Sequence, residues 1–116
     1  MATLGVQDQV YLQDATTREK VVSQTYNTSW TVTGWHYATF TIAANQTDSQ
    51  VNFGNLAAAR HVWIQTDQDC TVNIGGTSGT DIPCAKKLEL HSAADITLIY
   101  ITTGASITTV TVVLAK

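Results

Sequence analysis

Three histidines, seven aspartates, two glutamates and two cysteines are the side chains with which this chain could hold a metal or move a proton. His36, His61 and His91 match no metal-ligand spacing, and each falls in a segment of strand character. Two of them can meet only if their strands are neighbours. Asp67 and Asp69, in TDQD, offer two carboxylates where Ca2+ takes about six to eight oxygens. The other aspartates gather in turn-like stretches, as at Asp48, Asp81 and Asp95, where a short carboxylate bonds its own backbone. A Ser-His-Asp set drawn from scattered residues means little without a nucleophile turn. GGTSG at Gly75 to Gly79 lacks the Lys-Ser or Lys-Thr and the strand-to-helix context of a phosphate loop. The expectation is a non-enzyme with no catalytic residue, no metal site and no cofactor. Cys70 and Cys84 are too few for structural zinc, and two readings of them stand: a disulfide closing a short loop, or two free, mostly buried thiols.

The elements that must position these residues are strands. Period-two alternation rich in Thr and β-branched residues dominates the chain, most clearly in WTVTGWHYATFTIAA from Trp30 to Ala44. One phase there, ending in His36, Ala38, Phe40 and Ile42, reads as the core side, which turns Trp35 and Tyr37 away; Gly34 marks a bend or bulge. Further strands are predicted at Gln9 to Leu12, Val21 to Thr25, Gln50 to Phe53, His61 to Thr66, Thr71 to Ile74, Lys87 to His91, Ile96 to Thr102 and Thr108 to Leu114. Short strands at this spacing, broken by Asn, Asp, Gly and Ser, predict an all-β fold. Its form is an antiparallel β-sandwich, jelly-roll-like, with roughly eight strands in one domain over residues 1–116. Residues 1–20, which include the Arg18-Glu19-Lys20 charge run, read as a partly extended N-terminal arm. Asn55 to Arg60 (NLAAAR) is either a single helical turn or the approach to the next strand.

His61 to Gly76, HVWIQTDQDCTVNIGG, reads as a β-hairpin with Thr66 to Asp69 at its tip. The hairpin accounts for every residue except Trp63. Trp35, Tyr37 and Trp63, with Gln65 beside it, therefore form an outward set suited to a protein interface or to stacking on sugar rings; the competing reading is a misassigned phase and a core role. In ITLIYIT, from Ile96 to Thr102, both phases are apolar, as in a strand covered on both sides. Either a partner subunit covers it, which makes Ile99 and Ile101 interface candidates, or the N-terminal arm does.

Composition bounds the rest. With 116 residues the chain has room for one modest core. It is 13% charged with a net charge of -3, and its six Lys and Arg form no stripe, which excludes direct nucleic-acid binding. No apolar stretch is long enough to span a bilayer, and the start MATLGVQDQVYLQD has no secretory pattern, so the expectation is a soluble chain, intracellular at synthesis.

The order NFGNLAAARHVWIQTD, CTVNIGG and KKLELHSAADITLIYITTGASITTVTVVLAK resembles the small β-sandwich structural proteins of tailed-bacteriophage virions. Val62 to Ile74 matches their hairpin, and Leu88 to Leu114 their paired strands. The resemblance runs from Asn52 to the C-terminus, and the N-terminal half has no equally clear match. It implies a non-enzymatic virion component, foremost a capsid decoration or accessory head protein, assembled in the host cytoplasm. Its partners would be the major capsid protein and further copies of itself, with a trimer favoured by the resemblance alone. The alternatives are a tail or fibre component, or a carbohydrate- or receptor-binding module using the exposed Trp and Tyr side chains.

Overall fold

The computed structural model describes residues 1–13, 15–18, 20–76 and 79–116, with the backbone alone described at 10–12, 20–24 and 26. Glu19 of the charge run, and Thr77 and Ser78 of GGTSG, lie outside the described residues. The secondary structure is all-β, in three antiparallel sheets, and no helix occurs among the described residues. Asn55 to Arg60 is a turn followed by the start of a strand.

The chain divides into two units, Met1–Val32 and Thr33–Lys116. The first is one hairpin of β1 (Ala2–Gln13) and β2 (Lys20–Val32). Of the expected arm over residues 1–20, Ala2–Gln13 is a strand of this ribbon and Lys20 begins its partner. A two-stranded ribbon has few inward positions, and along β1 half-buried Ala2, Leu4 and Val6 alternate with exposed Thr3, Gly5 and Gln7.

In the second unit, β3 (Trp35–Ile42), β5 (Ala59–Thr66), β8 (Lys87–Ile96) and β10 (Thr108–Ala115) form one sheet in the order β3-β10-β5-β8. The other holds β4 (Ser49–Gln50), β6 (Cys70–Ile74), β7 (Thr80–Cys84) and β9 (Ile99–Thr103) in the order β4-β9-β6-β7. Their inner faces share one sandwich-like core. Val62, Ile64, Val110, Val112 and Leu114 come from the first sheet, Val72, Ile99 and Ile101 from the second, with Val51 and Phe53 from the link between β4 and β5. Alternation in each strand dictates this, because side chains two apart share a face.

Two sequence readings are corrected by the pairing. HVWIQTDQDCTVNIGG is not a hairpin: β5 and β6 lie in different sheets, and Thr66 to Asp69 is the corner between them. Val62, Ile64 and Thr66 reach the core from one side, Cys70 and Val72 from the other. Hairpin and corner both need alternating strands joined by a polar turn, so the pattern alone does not separate them. Nor do the strands between Leu88 and Leu114 pair with one another; β8 pairs with β5, β9 with β4 and β6, and β10 with β3 and β5. Within this unit the hairpin lies elsewhere, between β6 and β7. Pro83 and the glycines before it hid β7 from a propensity reading, yet β7 is an edge strand, where a missing backbone donor is tolerated.

ITLIYIT is likewise two pieces. Ile96 ends β8, Thr97 and Leu98 make the crossing to the other sheet, and Ile99 begins β9. The crossing resets the phase, which is why apolar residues occupy both. Ile99 and Ile101 are 0% exposed inside the chain's own core, so as interface candidates they are corrected to core residues. Half-buried Tyr100 and Thr102 form the outward phase of β9.

Candidate interaction face

The outer face of the β3-β10-β5-β8 sheet collects the residues singled out as outward. Strand β3 alternates as expected: Ile42 is buried, His36, Ala38 and Phe40 are half-buried, while Trp35 and Tyr37 remain 63% and 67% exposed. Register then sets their neighbours. Trp35 lies opposite Ala115, which lies opposite His61, which lies opposite His91. The next row is Tyr37, Val113, Trp63 and Glu89, and the one beyond is Thr39, Thr111, Gln65 and Lys87. Directly opposed residues in an antiparallel pair project on the same side, so these rows make one surface. Trp63 and Val113 are half-buried and Gln65 is exposed. Thr39 and Thr111 bond through their hydroxyls at 3.1 Å.

Trp35, Tyr37, Trp63 and Gln65 therefore share one face, while Ile99 and Ile101 lie in the core. The other sheet turns a different surface outward, with Gln50, half-buried Tyr100 and Asp81 in one row, where Asn73 is buried between the last two, and Thr71, Thr102 and Pro83 in another. The first face carries two largely exposed rings, Trp35 and Tyr37, and the second carries one half-buried ring, Tyr100. Large aromatics left this exposed next to one another mark interaction surfaces more often than scattered apolar residues do.

The row of Trp35 ends in a histidine pair that alternation could not reveal. His61 and His91 fall opposite each other because β5 and β8 are neighbours, although other strands separate them in sequence. Their Nδ1 atoms are 2.9 Å apart, and the rings are tilted by 50°. His91 Nε2 lies 2.8 Å from Glu89 Oε1, so the carboxylate accepts that ring's outer N–H. Burial first, then the charges of His91 and Arg60, hold the His61 pKa below its ordinary value. Nearby, Asp95 accepts from Arg60 Nε and Lys116 Nζ, each at 2.8 Å. The Lys116 bond, then the Arg60 bond, lower the pKa of this solvent-exposed carboxyl.

The remaining candidates resolve into structure. His36 faces inward against Gly54, whose positive φ of 61° and missing Cβ admit the ring. Asp67 Oδ1 accepts the Thr109 N–H at 2.8 Å and ties the β5–β6 corner to β10. Cys70 and Cys84 are directly opposed on β6 and β7 as free, buried thiols. Burial and the neighbouring Cys84 push the Cys70 thiol up to about 11. Cys84 is raised too, chiefly by burial. Thiols so shifted are poor nucleophiles at neutral pH. Among the described residues no group of three or more His, Cys, Asp or Glu side chains is placed to hold a metal ion. Comparison of the chain with protein-family models, curated proteins and solved structures gave no match.

Proposed function

We propose that this chain is a non-enzymatic structural protein of a larger assembly, most closely a capsid decoration or accessory head protein of a tailed phage. The sandwich unit is read as an eight-stranded jelly roll: in chain order its strands make one sheet of first, eighth, third and sixth, and another of second, seventh, fourth and fifth. The carrying observation is the exposed pair Trp35 and Tyr37, with Tyr37 in line with Trp63, on the outer face of the β3-β10-β5-β8 sheet. The resemblance of the segment from Asn52 onward to phage virion sandwich proteins prompts this reading at the level of sequence only, since the hairpin and the strand pair that carried it are not paired in that way in the fold. Its partners would be further copies of the chain, as a trimer, and the major shell protein, in a particle assembled in the host cytoplasm.

The mechanism is passive. Covering Trp35 and Tyr37 removes roughly 300 Å2 from water, about 7 kcal/mol at ~25 cal/mol/Å2 before the cost of association. That cost is about 4 to 15 kcal/mol, so the two rings act as anchors within a wider contact of roughly 800 Å2 per partner. The Thr-rich rows around them supply small side chains that let two faces approach closely. Sedimentation with a shell-binding assay tests this: the protein should self-associate and join particles, and a strictly monomeric chain that binds no shell protein contradicts it. A second reading, glycan binding, is favoured by the alignment of Trp35 and Tyr37 with polar Thr39 and Gln65 nearby. It requires saccharide-dependent changes in tryptophan fluorescence, which the assembly reading does not.

A further inference from the structure

We propose that His61 and His91 form a two-imidazole site for a borderline divalent metal ion such as Zn2+, with Glu89 as the carboxylate that orients His91. The site belongs to the outer face as a single chain exposes it, where solvent reaches both rings. The expectation of no metal rested on sequence spacing, and the pairing of β5 with β8 removes that objection.

The distances are close to those an ion needs. The ring centroids are 5.2 Å apart and the Nδ1 atoms 2.9 Å apart. Each nitrogen lies roughly 1.1 Å from its ring centre, so the two rings point nearly head-on, as suits one N–H···N bond. Around a tetrahedral ion with bonds of about 2.05 Å, two imidazole nitrogens lie about 3.3 Å apart and their ring centres about 5.2 Å apart. Loading therefore leaves the centroid spacing as it stands. Each ring turns in place by about 35°, within the broad χ2 well of histidine, and the nitrogens open by about 0.4 Å.

The proton arrangement also suits a metal. Glu89 takes the His91 Nε2–H at 2.8 Å, which leaves His91 Nδ1 as a lone pair. A carboxylate holding the far nitrogen of a histidine is the arrangement that fixes the tautomer of metal-ligating imidazoles. His61 then supplies the N–H of the Nδ1···Nδ1 bond. On loading, that proton passes through solvent to His61 Nε2, no net proton is released, and both Nδ1 lone pairs bind the ion. Both rings are half-buried on the outer face, so the ion reaches them from solvent and water fills its remaining positions. The buried Cys70–Cys84 pair offers no such access.

The test is a Zn2+ titration of tag-free, 15N-labelled protein followed by imidazole NMR, with calorimetry on variants. The Nδ1 signals of His61 and His91 should shift together and saturate at one ion per chain, while those of His36 stay in place. His61→Ala and His91→Ala should each bind Zn2+ at least tenfold more weakly, and Glu89→Ala about tenfold, at the low end for loss of an orienting carboxylate. The proposal is overturned if excess Zn2+ leaves both Nδ1 signals unmoved, or if either histidine variant binds as the unaltered chain does. Should a variant misfold, the titration of the unaltered chain decides alone.

Discussion

Ile99 and Ile101 show what a residue's type leaves open. Their apolar character was legible, but which side of a sheet they face depends on where β8 ends and β9 begins, and the crossing at Thr97 and Leu98 carries no glycine or proline to announce it. Placed in the core, Ile99→Ala or Ile101→Ala should cost about 2–5 kcal/mol in urea unfolding, a loss far above that of a surface change. Trp35 and Tyr37 were legible because β3 alternates without interruption over eight residues. The cysteines give a pH dependence. The folded Cys70 thiol titrates at about 11 against an ordinary value of 9.0, so the folded chain holds this proton more tightly than the unfolded one. Its contribution to stability is fully present below pH 9.0 and should fade as pH rises from there toward about 11. Denaturant midpoints across that window check the sign, and iodoacetamide should label native Cys70 and Cys84 slowly at neutral pH.

At the scale of elements, strand positions were largely readable and strand partners were not. Alternation located most of the strands of the sandwich unit, since burial on one face imposes it, but it says nothing about which strand lies beside which. Every connection between successive strands from β3 to β10, apart from β6 to β7, crosses between the sheets, so neighbours in a sheet are distant in sequence. The His61–His91 pair was invisible for that reason. The corners themselves make testable contributions. Asp67→Ala removes the acceptor of the Thr109 N–H and should destabilise by about 0.5–1.5 kcal/mol in urea unfolding, with Asp67→Asn recovering much of the loss. Gly54→Ala puts a methyl group into the His36 ring at a positive φ, and should cost about 1–3 kcal/mol through overpacking and backbone strain.

For the whole molecule, the central claim is that the sandwich unit has an adhesive side. Composition gave no hint of it, because three tryptophans in 116 residues serve a core as readily as a surface. Only the register that aligns Tyr37, Val113 and Trp63 makes them a patch. The most direct measurement is sedimentation velocity of the unaltered chain and of the Trp35→Ala/Tyr37→Ala double variant over a range of concentrations. Both side chains are mostly solvent-exposed, so the double variant should keep its far-UV dichroism and its unfolding midpoint. The unaltered chain should sediment as an oligomer well above 12.5 kDa, and the variant should fall back toward the monomer. A chain that remains a 12.5 kDa monomer at every concentration and binds no shell protein, or an oligomer that the two substitutions leave intact, contradicts the assignment of this face.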